Sequence, residues 1–213
     1  MITSGQFNTI RWANLDLFVT HQTFIPRKSS LGFLEVADEI LNVPCPPRIL
    51  IDMCCGSGAL GIAVYRSRPE FFDSVLFLDS SPDAVLSAEA NRAAHRVPGR
   101  VLLWRAGEPL PVSAPAAVIC NPPFLDELSS ENLPDWERSC VSCASDGFSV
   151  IADCLRSIGK SKHSLLLKCL PAQLAAVRPL LESGGCSCLR LTASSEDAVI
   201  SAWSPGGRFE RSA

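Results

Sequence analysis

The segment from Arg48 to Tyr65 restricts the fold of this chain more than any other. Ile49, Leu50 and Ile51 form an apolar strand pattern that runs through Asp52 into Gly56, Gly58 and Gly61, after which the apolar spacing becomes that of a helix. A strand, a glycine turn and a helix in that order open a parallel βαβ unit, and open α/β sheets bind ligands at the carboxyl ends of their strands. Gly56 and Gly58 let the backbone turn tightly and leave no Cβ between loop and ligand, while Gly61 permits close packing of helix on strand. Several nucleotide cofactors share the G-x-G-x-x-G spacing, so the cofactor has to be read from the residues around it.

The rest of the chain repeats the alternation. Predicted strands cover 74–78, 101–104, 116–120 and 164–169, and predicted helices cover 59–68, 82–96, 148–158 and 171–182, with Ser81 as the N-cap and Pro82 at the first helical position of the second. Two further strands, 188–192 and 199–203, have no helix between them, which predicts an antiparallel hairpin at one sheet edge. The expected fold is therefore α/β and Rossmann-like: a mostly parallel seven-stranded sheet, helices on both faces, and an antiparallel C-terminal hairpin. A length of 213 residues, 47% of them hydrophobic, suits one domain with a full core. We divide it into an N-terminal hairpin and helix segment over the active site (1–44), the cofactor domain (45–204) and a frayed tail (205–213).

Three features point to S-adenosylmethionine. Asp52 stands at the strand end ahead of the glycines, where it suits the cationic amino-acid end of that cofactor better than a pyrophosphate. Asp79 ends the next strand, 21 residues beyond Gly58, where a carboxylate can accept both ribose hydroxyls. The third is Asn121-Pro122-Pro123-Phe124, which follows the buried strand 116–120 and so lies at the ligand edge. A neutral nitrogen attacking a methyl group needs acceptors for its N–H protons, and the Asn121 side-chain oxygen and the Pro122 carbonyl supply two. The prolines stiffen the loop and remove two competing N–H donors, and Phe124 offers a face on which a planar amide or heterocycle stacks. These residues predict N-methylation, with Asn121, Pro122 and Phe124 as the catalytic set. The predicted cofactor contacts are Asp52, Cys54, Gly56, Gly58, Asp79, Ser80, Glu108 and Asn121, and the substrate contacts are Arg27, Pro123 and Phe124.

From about Phe18 to Trp203 the chain resembles the release-factor glutamine N5-methyltransferases and their short relatives, within the class I S-adenosylmethionine-dependent methyltransferases. The likeness rests on Phe24-Ile25-Pro26-Arg27 with Ser30, which resembles the hairpin and Ile-Pro-Arg element of that family; on Asp52 to Gly58; on Asp79 to Pro82; and on Asn121 to Phe124. Glu137-Arg138 and Ala144 to Phe148 match more weakly. The resemblance implies Glu108 near the adenine amino group, Arg27 as a substrate contact, and a protein glutamine as methyl acceptor. The chain departs from the family in Lys28 and Ser29, where acidic residues are usual, in Phe124 for tyrosine, and in having 17 residues before Phe18 where the family carries a helical substrate domain. That departure admits two alternatives, an activating partner subunit or a small-molecule acceptor such as an amino acid, amide or heterocycle.

A net charge of −3 without a Lys/Arg cluster gives no electrostatic footprint for nucleic acid, and no apolar run is long enough to span a membrane, so a cytoplasmic location is expected. Ten cysteines are read first as small core hydrophobes, among them Cys45, Cys54, Cys55, Cys120, Cys154 and Cys169. Cys140 with Cys143 and Cys186 with Cys188 fit no common zinc module, and no metal is expected. His21, His95 and His163 have no partner spacing.

Overall fold

The computed structural model describes residues 7–41, 47–143, 147–159, 162–193 and 198–205. Two strands, β1 (Asn8–Trp12) and β2 (Leu15–Val19), form a separate antiparallel hairpin. After helix α1 (Gly32–Leu41) comes a seven-stranded sheet: β3 (Ile49–Met53), β4 (Ser74–Asp79), β5 (Gly99–Leu103), β6 (Ala116–Cys120), β7 (Ser164–Cys169), β8 (Cys186–Ala193) and β9 (Val199–Pro205). Between these strands run α2 (Ala59–Ser67), α3 (Pro82–Ala94), α4 (Glu127–Ser130), α5 (Asp135–Val141), α6 (Ser149–Ile158) and α7 (Pro171–Ser183).

The strand order is β5-β4-β3-β6-β7-β9-β8, with β9 antiparallel to both β7 and β8. The terminal hairpin is present, but its second strand lies inside, against β7, and β8 forms the edge. Burial follows this order: Ile200 to Ser204 are all buried, whereas Leu191 on β8 is exposed. The chain reverses direction across the sheet between β3 and β6, the switch point where open α/β sheets bind ligands. Register sets the site. Met53 pairs with Cys120 and Cys120 with Leu167, so Cys54 and Asn121, just past the ends of β3 and β6, stand level with Lys168 near the end of β7.

Two apolar clusters fill the two faces of the sheet. One joins Phe33, Leu50, Ile62 and Phe77 under α1 and α2, and the other joins Ile51, Met53, Val118, Ile151 and Trp203 under α6 and α7. The N-terminal hairpin lies earlier than the resemblance implied, and Phe24 to Arg27 form the loop after it. A buried polar network fixes this hairpin on α3. Asn91 accepts from Phe18 N at 2.7 Å and donates to the carbonyls of Phe18 and Ser57, while Ser87 Oγ bonds Thr20 N and the Thr23 hydroxyl. Asn91 and Ser87 are fully buried, where an unmatched polar group is costly, so the network sets where Phe24 is delivered. The stretch from α4 to α5, which had no predicted structure, is tied to the Asn121 loop by Phe124 N and Leu125 N, both donating to Val141 O. No helix among the described residues is long and apolar enough to cross a membrane.

Candidate active site

The glycine loop leaves β3 through Cys54, which sits in the left-handed region at φ 56°. Gly56 and Gly58 follow at φ 53° and 76°, conformations that side chains rarely adopt. Gly61 is needed for a different reason: a Cβ there would stand 2.7 Å from the Phe77 ring and 2.9 Å from Asp52 Oδ2. This close approach lets Gly61 N donate to Asp52 Oδ2 at 2.8 Å.

Asp79 organises the loop from the neighbouring strand. Its Oδ2 accepts from Gly56 N at 2.8 Å and its Oδ1 from Ser81 N at 2.9 Å, so the carboxylate is held before any ligand arrives. Burial pushes its pKa up despite the backbone N–H groups of Ser81, Gly56 and Ser80 that favour the charged form. Ser81 caps α3 as predicted, accepting from Ala84 N.

A cleft of about 600 Å³ opens above this loop, lined by Cys54, Gly56, Asp79, Ser80, Trp104, Ala106, Asn121 and Pro123, with Phe24 and Cys140 on its far side. Its volume lies in the range of small-molecule sites. A smaller cavity of about 130 Å³ adjoins it and shares Phe24, Asn121 and Cys140, adding Arg27, Ser29, Pro122, Phe124 and Lys168. Asn121 therefore stands in the wall between the two. Its Oδ1 is buried and has no hydrogen-bond partner, an arrangement that costs free energy unless a ligand donor completes it.

The fold thus brings Cys54, Gly56, Asp79, Ser80, Asn121 and Pro123 together in one cleft, and Arg27, Asn121, Pro122 and Phe124 in the adjoining pocket. Three predicted cofactor residues lie elsewhere. Gly58 shapes the turn from behind, donating to Cys55 O at 2.8 Å. Asp52 is 1% exposed beneath the loop, where desolvation raises its pKa to about 8, and its Oδ1 has no partner. Glu108 is exposed on a turn closed by its own N–H to Arg105 O, and its carboxylate folds back onto Arg105 N; it does not line the cleft, which Trp104, Arg105 and Ala106 do. Arg27 forms an ion pair with Glu137 on α5, so the weakly matched Glu137 clamps the pocket's edge.

Sequence reasoning missed Lys168. It is 3% exposed, donates to Ser29 Oγ at 2.8 Å and lies 5.8 Å from the centre of the Phe124 ring. The signal was there: it is the one charged residue in the apolar run Ser164–Cys169 and lies near its carboxyl end. The cysteines show a grouping that no spacing announced. Cys140, Cys143, Cys186 and Cys188 form no ligand group among the described residues, whereas Cys54, Cys120 and Cys154 come together. Cys45 and Ala144 to Asp146 lie outside the described residues.

The residues present fit S-adenosylmethionine: a carboxylate oriented at the ribose corner, a loop free of Cβ atoms at Gly56 and Gly58, and Trp104 and Ala106 as apolar walls. Residues 38–136 match the family model described as the methyltransferase small domain. The chain is 34% identical over 117 residues to a release factor glutamine methyltransferase of Chlamydia trachomatis, covering 54% of this chain and 39% of that protein. It is 33% identical over 146 residues to a ribosomal protein uL3 glutamine methyltransferase of Bordetella pertussis, covering 66% and 47%. This chain thus spans less than half the length of either relative. Among solved structures, the hMettl16 catalytic domain in complex with MAT2A 3′UTR hairpin 6 superposes with a TM-score of 0.67 at 11% identity, over 91% of this chain and 76% of that one, a likeness that carries the fold alone.

Fold, site and family model together place the chain in the class I S-adenosylmethionine-dependent methyltransferases. Within that class its sequence is related to the glutamine methyltransferases.

Proposed function

We propose that this protein methylates an amide nitrogen, and that its acceptor is a glutamine side chain of another protein. The observation that carries the reading is the buried, unpartnered Asn121 Oδ1 in the wall between the cofactor-sized cleft and the smaller pocket. S-adenosylmethionine supplies an electrophilic methyl group. The chain's own residues have to present a nitrogen lone pair to it, which calls for hydrogen-bond acceptors rather than acids. Asn121 Oδ1 and the Pro122 carbonyl accept the two amide N–H groups, and both bonds strengthen as positive charge develops on nitrogen. Phe124 lines the pocket as a stacking face for the planar amide, and Lys168 offers a donor to its carbonyl oxygen.

Two observations support a protein acceptor. The curated relatives carry the names of enzymes acting on a release factor and a ribosomal protein. Ile25, next to Phe24, and Trp136, whose carbonyl bonds Cys140, are each 38% exposed on segments that border the pocket, where a docking surface is required. An activating partner subunit that adds to this surface belongs to the same reading. The pocket's volume of about 130 Å³ and its buried cation favour a second reading, a small carboxylate-bearing amine or amide. Transfer of tritium from labelled S-adenosylmethionine to cell lysate, split into protein and small-molecule pools, separates them. Label in protein that vanishes with Asn121→Ala supports the glutamine reading, and label confined to the small-molecule pool replaces it.

A further inference from the structure

Three thiols converge beneath the junction of the cofactor loop and the Asn121 loop. Cys54 opens the glycine loop and lines the larger cleft, Cys120 ends β6 directly before Asn121, and Cys154 lies on α6. Their sulfurs all lie within 4.8 Å of one another, with Cys54 and Cys154 at 3.8 Å. The three come from separate elements, so no spacing motif announces them.

We infer that this trio binds a trivalent thiophilic metalloid, with arsenite as the representative ligand, through three sulfur bonds. Metal–sulfur bonds of about 2.3 Å place three sulfurs around one centre roughly 3.5 to 4 Å apart, so the cluster needs only a small contraction. Coordination number argues against structural zinc, which takes four ligands, because no fourth His, Cys, Asp or Glu joins the group among the described residues. Charge argues against a soft monovalent cation. Three thiolates around it would bury a net double negative charge among Met53, Val118, Ile151 and Leu155, close to Asp52 and Asp79.

Arsenite avoids both problems. As(OH)3 and three thiols give As(SR)3 and three waters: three As–O bonds are replaced by three As–S bonds, each thiol proton leaves with a hydroxide, and no atom changes oxidation state. The product is neutral and suits an apolar site. Entry is through Cys54, the half-buried member of the trio that faces the cleft, while Cys120 and Cys154 are fully buried. Bonding fastens the cofactor loop and the strand that carries Asn121 onto α6, so metalloid and cofactor oppose one another at Cys54.

The test incubates the reduced 213-residue chain with sodium arsenite, removes free arsenite by gel filtration and measures retained arsenic by elemental analysis. One arsenic per chain is expected, with a near-ultraviolet sulfur-to-arsenic absorption and slower uptake in saturating S-adenosylhomocysteine. Losing one of three tethered ligands should cut retention on the order of a hundredfold in Cys54→Ser and in Cys154→Ala, whereas Cys188→Ser, outside the trio, should retain arsenic fully. Cys154→Ala opens a hole in the core, so Cys54→Ser, at the cleft edge, is the decisive variant, with its fold checked by thermal unfolding. Absence of arsenic on the wild-type chain overturns the site, as does undiminished retention by Cys54→Ser or tight retention of zinc in a parallel incubation.

Discussion

Asn121→Ala should separate chemistry from folding in an unusual direction. The substitution deletes Oδ1, which has no hydrogen-bond partner within the protein, so the folded state loses no bond made by that atom and sheds a buried unsatisfied acceptor. Leaving such a group unmatched costs about 1 to 3 kcal/mol. Against that stands the packing lost with a short side chain. Stability should therefore stay level or rise by up to about 1 kcal/mol, where most buried truncations destabilise. Turnover should fall steeply. One amide N–H loses its acceptor, and a misplaced nitrogen costs on the order of a hundredfold, or about 2.7 kcal/mol of barrier. Urea unfolding, calorimetric titration with S-adenosylhomocysteine and tritium transfer to the acceptor read the three quantities. Asp79 and Gly56 are untouched, so ligand affinity should change little. A variant that unfolds more easily yet keeps wild-type turnover would refute the argument, because Asn121 would then be holding the loop and not the substrate.

Asp79→Ala removes the ribose acceptor and also the anchor of Gly56 N and Ser81 N. At about 1.5 to 3 kcal/mol for each charged hydrogen bond, S-adenosylhomocysteine affinity should drop at least tenfold by calorimetry, and unchanged affinity would contradict the assignment. Gly61→Ala would ordinarily stabilise a helix, but its Cβ would stand 2.7 Å from Phe77 and 2.9 Å from Asp52, so overpacking should win and lower stability by about 1 to 3 kcal/mol in urea. Asp52 has a folded pKa raised to about 8, above its unfolded value, so the folded state holds a proton that the unfolded state releases. Stability should fall as pH rises from about 4 towards 8, by up to about 1.4 kcal/mol per pH unit, and Asp52→Asn should remove that slope; equal slopes in the two proteins would show that Asp52 titrates normally. Lys168→Met should raise the acceptor KM and leave S-adenosylhomocysteine affinity unchanged, since Lys168 lines only the smaller pocket; a loss of cofactor affinity would place it in the wrong cavity.

The cofactor half of the site was legible in the order of residues because its causes are local. A left-handed turn demands glycine at 56 and 58, a close helix demands it at 61, and a strand end places Asp79 at the ligand edge whatever surrounds it. The Asn121 loop was legible for the same reason: an apolar strand fixes where its last residue points. Glu108 was expected at the cleft and is not in its lining, because a tight turn spends its carboxylate on Arg105 N without leaving a mark on hydrophobic spacing.

What depends on strands meeting had to wait for the fold. Register puts Cys54, Asn121 and Lys168 side by side, although β4 and β5 lie between the first two along the chain and α4, α5 and α6 between the last two. The acceptor pocket arises because the segment after the N-terminal hairpin, fixed on α3 through Asn91 and Ser87, meets the α5 strap and the end of β7. The insertion of β9 inside the sheet could not be read from its residues either. Two adjacent apolar strands are equally satisfied in either order until β7 offers one of them a partner on its free side, and burial of Trp203 against α7 then decides between them.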